Sequence, residues 1–182
     1  MPYVAPGTVA AGDVYTAAAH NIQVANVIAL RAYNVVGTAV VAQTFSTAST
    51  SYVDVTGMSV TITPTATTSR IEISVTSHWG NAGAGQRAGL KLTGGNTSAL
   101  LPTAGGTRQA AIQALSANGA VNNLNIGCFV VIDSPATTSA VTYQLQISSD
   151  TTTWYLNRSS TNTDSSTVYV PASYIVAREI TA

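Results

Sequence analysis

Residues 70–76 read Arg-Ile-Glu-Ile-Ser-Val-Thr and residues 141–147 read Val-Thr-Tyr-Gln-Leu-Gln-Ile, and this strict alternation of polar and apolar side chains is the strongest constraint on the fold. A strand sends successive side chains to opposite faces, so Ile71, Ile73 and Val75 share one face, continued by Trp79, while Arg70, Glu72 and Ser74 share the other. Each such strand is half-buried and needs a second layer to cover its apolar face. Shorter alternating stretches run through residues 52–55, 58–63, 88–92, 109–115, 154–157 and 174–180. Turn signals stand between them at Gly57, Pro64, Gly94-Gly95, Gly105-Gly106, Asn118-Gly119 and Ser134-Pro135. About eight or nine short strands with this punctuation predict an all-β fold, an antiparallel jelly roll or β-sandwich. No stretch after residue 38 reads as a core helix, which argues against a parallel βαβ architecture.

Residues 124–132 depart from the simple pattern. Leu124, Ile126, Cys128, Val130 and Ile132 alternate with Phe129 and Val131, so both faces are apolar towards the end of the segment. A strand of that kind is central in a sandwich or covers its outer face with a partner. Phe129 and Val131 are the expected trimer-interface residues, and Cys128, in apolar surroundings, is expected to be a buried, inert thiol.

The chain divides near residue 38 into an N-terminal arm, 1–38, and a β-sandwich head, 39–182. Pro and Gly punctuate residues 1–12, which cannot form a core alone. Residues 16–31 then open on Thr16, run through Ala17-Ala18-Ala19 and close on Arg31, the pattern of a short capped helix with Ala18, Ile22, Ala25 and Ala29 on one face. Val24, Val27 and Ile28 leave strand or coil as the alternative. Tyr3, Val4, Val9, Val14 and Ile22 are spaced apolar anchors, expected to attach the arm to a larger surface.

Composition narrows the function. Only 8% of residues are charged, against about 25% in an ordinary soluble domain. Hydroxyl groups replace charge at the surface, with 27 Thr and 18 Ser. The single Lys and six Arg are scattered and balance seven acidic residues, so no basic stripe exists for nucleic-acid phosphates. No apolar run approaches about 18 residues and no basic leader precedes a greasy one, so neither a membrane span nor a signal peptide is expected. The protein is expected to be made in a reducing cytoplasm.

Catalytic candidates are few. His20 and His78 share no local motif, and nothing has the spacing of a metal site, so neither a metal nor a cofactor is expected. Asp133, Asp150 and Asp164 stand beside turn residues, where a carboxylate caps backbone amides. Asp54 and Glu72 are the one carboxylate pair a glycosidase would require, but both lie on polar strand phases where pairing with Arg70 or Lys91 is expected. Asn96 and Asn157 head Asn-x-Ser triplets that the context makes chance. Among aromatic side chains that can stack on a sugar, Trp79 falls on the inward phase, leaving Trp154 and Tyr155.

Two longer blocks resemble a recurrent module of tailed-bacteriophage structural proteins. Ser49-Thr50-Ser51-Tyr52-Val53-Asp54-Val55 leads through Gly57 to Val60-Thr61-Ile62-Thr63-Pro64 and then to Thr68-Ser69-Arg70-Ile71. The likeness continues at Asp133-Ser134-Pro135, Thr142-Tyr143-Gln144-Leu145-Gln146, Tyr155-Leu156-Asn157-Arg158-Ser159 and Ser173-Tyr174-Ile175. Residues 11–18, Ala-Gly-Asp-Val-Tyr-Thr-Ala-Ala, are similar to the openings of phage appendage proteins. The resemblance implies a trimeric jelly roll, similar to tumour-necrosis-factor and complement-type heads, displayed on a virion surface. The expected function is therefore that of a non-enzymatic capsid decoration or cement protein, a homotrimer whose arm binds the major capsid protein or another virion protein. The alternative is a receptor-binding tip or short fibre that contacts host surface glycans, with a polysaccharide-degrading enzyme as a distant third. The short arm and the lack of an evident aromatic cluster in the loops favour decoration.

Overall fold

The computed structural model describes residues 34–180 apart from 41, 43, 82, 119–122 and 167. The arm anchors Tyr3, Val4, Val9, Val14 and Ile22 and the helix expected over 16–31 lie outside the described residues. From Val35 onwards the chain forms one compact unit.

Among the described residues ten strands build it: β1 (Val35–Val40), β2 (Ser46–Thr47), β3 (Val53–Ile62), β4 (Arg70–Gly80), β5 (Ala84–Thr93), β6 (Gln113–Asn118), β7 (Leu124–Asp133), β8 (Val141–Ser149), β9 (Trp154–Leu156) and β10 (Ser173–Ile180). A short 3₁₀ turn, Thr97–Leu100, follows β5. All pairings are antiparallel. In one sheet the long strands run β1-β10-β4-β7, with β9 and β2 continuing beside the far end of β4. The other runs β3-β8-β5-β6. Two such sheets make the all-β sandwich, and this strand order is that of a jelly roll. The arm boundary expected near residue 38 falls inside β1, whose residues pair with β10 from Val35↔Arg178 to Val40↔Ser173.

The alternation read from the sequence sets the core. Ile71, Ile73, Val75 and Trp79 of β4 are buried against Tyr143, Leu145 and Ile147 of β8 and Leu90 and Leu92 of β5 in one apolar cluster. Each large side chain taken from water contributes about 1.5–3 kcal/mol. Phe45 meets the edge of Trp79 with ring centroids 6.0 Å apart and planes at 78°. The two stretches that Gly57 was expected to separate are one strand, β3, with a register shift between Asp54 and Ser59. Gly57 takes φ +84°, which lets the chain bulge and turn both Val55 and Met58 inward.

Two buried carboxylates fasten loops to this frame. Asp133, at the end of β7, accepts from the Tyr143 hydroxyl at 2.7 Å and from the Asn96 backbone N–H at 3.1 Å. Glu179 accepts from the backbone N–H and the hydroxyl of Thr65 at 2.6 and 2.7 Å. A buried charge is tolerated when its oxygens are occupied in this way.

Candidate functional site

The two sheets turn different chemistry outward. Strand register makes the contrast residue by residue. On the β3-β8-β5-β6 sheet, Asp54, Gln146 and Lys91 form one outward row, Ser59, Gln144 and Thr93 another, and Thr61 and Thr142 a third. These side chains satisfy one another: Gln146 Nε2 donates to Asp54 Oδ1 at 2.7 Å, and the Thr61 and Thr142 hydroxyls meet at 2.7 Å. Lys91 holds its ammonium 4.2 Å from the centre of the Tyr52 ring.

On the β1-β10-β4-β7 sheet the outward rows are Val35, Arg178, Glu72 and Ile132; Gly37, Val176, Ser74 and Val130; and Ala39, Tyr174, Thr76 and Cys128; with His78 and Ile126 beyond. Ile126 and Val130 are each 58% exposed, and Val35, Ile132 and Tyr174 are exposed with them. Apolar side chains thus dominate a face that has no third layer among the described residues. The charged pair on it, Glu72 and Arg178, closes at 2.9 Å. An exposed patch of this kind on one face of a sandwich is the usual mark of an interaction surface.

This placement revises several expectations. Cys128 is exposed, not buried, because it shares the outward phase of β7 with Ile126, Val130 and Ile132. Gly127, Phe129, Val131 and Asp133 take the inward phase, and Phe129 and Val131, the residues expected at a trimer interface, pack partly buried against the core. Asp54 and Glu72 stand on the outer faces of opposite sheets and cannot flank one bond. Their partners are Gln146 and Arg178 and not Arg70 or Lys91. Asp133 and Asp150 both accept backbone amides, from Asn96 and Arg87. Among the described residues no three metal-ligating side chains converge, and no helix is long and apolar enough to cross a membrane.

Of the aromatic candidates, Trp79 and Trp154 are fully buried. Tyr155 is partly buried between the inward Trp154 and Leu156, and carries the Arg158 guanidinium 3.9 Å from its ring centre. The outward apolar residues of β10, Tyr174 and Val176, escaped notice in the sequence. Their signal was there: residues 174–177, Tyr-Ile-Val-Ala, are apolar in both phases, as in β7.

No protein-family model and no curated protein sequence matches this chain.

Proposed function

We propose that the chain is a non-enzymatic structural protein that works as a homotrimer on the surface of a tailed-phage virion, as a capsid decoration protein. The observation that carries the assembly part is the contrast between the outer faces: a self-satisfied polar face on one sheet and an exposed apolar face, centred on Ile126, Val130 and Tyr174, on the other. A chain with net charge zero and few charged groups puts little repulsion in the way of copies packing through that face. The phage reading rests on the motifs of residues 49–71 and 133–175 and on their order. Attachment to the shell is assigned to residues 1–38, with Tyr3, Val4, Val9, Val14 and Ile22 as anchors.

Light scattering on the full chain tests the assembly, with a trimer expected at micromolar concentration and a stable monomer overturning it. Counting copies per particle tests the location: hundreds mean decoration of the head, a few dozen mean a tail tip. Deletion of residues 2–30 is expected to leave a folded head that no longer binds particles lacking their own copy.

A further inference from the structure

At the far end of β4 the chain makes a cleft of about 370 Å³ between the loops that follow β4 and β8 and the chain leaving β9, lined by Gly83, Thr151, Thr152, Thr153 and Tyr155. That volume is within the range of small-ligand sites, about 300–1,000 Å³. We propose that this cleft binds a saccharide, with Tyr155 as the stacking platform and the Thr151–Thr153 hydroxyls as hydrogen-bonding groups.

The walls are held in place by buried amides. Asn81, buried, donates from Nδ2 to the Thr152 hydroxyl and the Thr153 carbonyl, both at 2.9 Å, and accepts the Gly83 N–H at 2.6 Å. Asn157, fully buried, donates its N–H to the His78 carbonyl at 2.8 Å and accepts the Ser173 hydroxyl at 2.5 Å. A Cβ on Gly80 would collide with the Arg158 carbonyl oxygen, so glycine lets the two chains close on each other there. Thr151, Asn157 and Asn162 adopt φ of +116°, +59° and +45°. A β-branched residue at positive φ is costly, and Thr151 is held there by its N–H donating to the Ser149 hydroxyl, while Asn157 and Asn162 are of the residue type that tolerates this region. The result is a pre-ordered rim, which lowers the entropy lost on binding.

The lining selects the ligand class. Hydroxyls both donate and accept, matching the mixed donors and acceptors of a sugar ring, and a tyrosine face takes the ring's C–H side. The Arg158 guanidinium already stacks 3.9 Å from the ring centre and covers one face of Tyr155, so the sugar takes the opposite face. A nucleotide or polyphosphate would call for more than one cation, and a peptide for an apolar anchor pocket; the cleft lining has neither. The proposal stands independently of where on a virion the protein sits.

The test is a chemical-shift titration of the full-length protein with D-glucose, D-galactose, N-acetyl-D-glucosamine and D-glucuronate at millimolar concentrations, with acetate as a control. Saturable shifts at Thr151, Thr153 and Tyr155 with at least one sugar are expected. Tyr155→Ala is expected to weaken that sugar about tenfold or more, while Tyr155→Phe, which keeps the ring, retains most of the affinity. Thr153→Val supplies a second loss of binding should Tyr155→Ala lower the melting temperature. No saturable shift with any sugar, shifts that acetate reproduces in full, or undiminished binding by folded Tyr155→Ala would overturn the proposal.

Discussion

Glu72 on β4 and Arg178 on β10 stand opposite each other in the strand register and close a 2.9 Å ion pair on the apolar outer face. Their side chains are 25% and 47% exposed, so solvent screens the pair, and its contribution to the stability of the fold is under about 1 kcal/mol. Ile73, one position along β4 and fully buried, is a different case. Ile73→Ala is expected to cost about 2–5 kcal/mol and Glu72→Ala under about 1 kcal/mol. Denaturant melts that give equal losses would mean that the two faces of β4 have been exchanged.

Val130 and Val131 are neighbours that separate assembly from folding. Val130→Asp places a charge on the outward face and is expected to leave the chain folded but monomeric, against the trimer proposed for the wild type. Val131→Asp places the same charge against the core and is expected to destabilise the sandwich itself by several kcal/mol, since an unpaired buried charge has nothing to satisfy it. Light scattering and thermal melts on both variants read the two effects separately, and a trimeric Val130→Asp protein would put the interface elsewhere.

Cys128 reports on the same face without any mutation of it. Its thiol is exposed in the single chain, beside Thr76 and between the outward Ile126 and Val130. If copies pack through this face as proposed, a thiol-reactive dye is expected to label the Val130→Asp protein at least about tenfold faster than the wild type. Equal labelling rates would mean that nothing covers β7 in solution.

The Tyr143–Asp133 contact predicts how stability depends on alkaline pH. Burial raises the Tyr143 phenol well above its ordinary value, and the Asp133 carboxylate, as hydrogen-bond acceptor and as a nearby negative charge, raises it further. Below about pH 10 the phenol is protonated in both folded and unfolded chains, and the contribution of the contact is complete. Above that, the unfolded chain releases the proton and the folded one keeps it, so stability falls by up to about 1.4 kcal/mol per pH unit for this group. Urea melts at about pH 8 and about pH 11 are expected to show a smaller loss in Tyr143→Phe than in the wild type. An identical loss would mean that Tyr143 titrates normally.

The fold was legible where one strand phase was polar. Residues 70–76 and 141–147 announced their inward faces, and β4 and β8 bury those faces as read. Where both phases are apolar the same reading loses its reference. In β7 the bulk of Phe129 and Val131 drew attention, but what fixes the phase is Gly127, whose missing side chain makes room for Leu90 and Ser77, and Asp133, whose carboxylate reaches Tyr143. Those contacts come from the facing sheet and the neighbouring strand, far along the chain. The Tyr155 cleft was less legible still, since Asn81, Thr152 and Tyr155 meet only once β4, β8 and β9 have been brought to the same end of the sandwich.

The pairing of the first strand with the last gives the molecule a direction. Val35, where β1 begins, lies beside Arg178 and Glu72 at the start of β4, whereas Tyr155 lies beside Gly80 at its end. Eight residues of strand at about 3.3 Å each separate those two rows by about 26 Å. A support coupled to the sandwich at its β1 start would therefore hold it by one pole and leave the opposite pole, with the Tyr155 cleft, pointing into free solution. An immobilised sensor built in that orientation would keep its recognition end unobstructed.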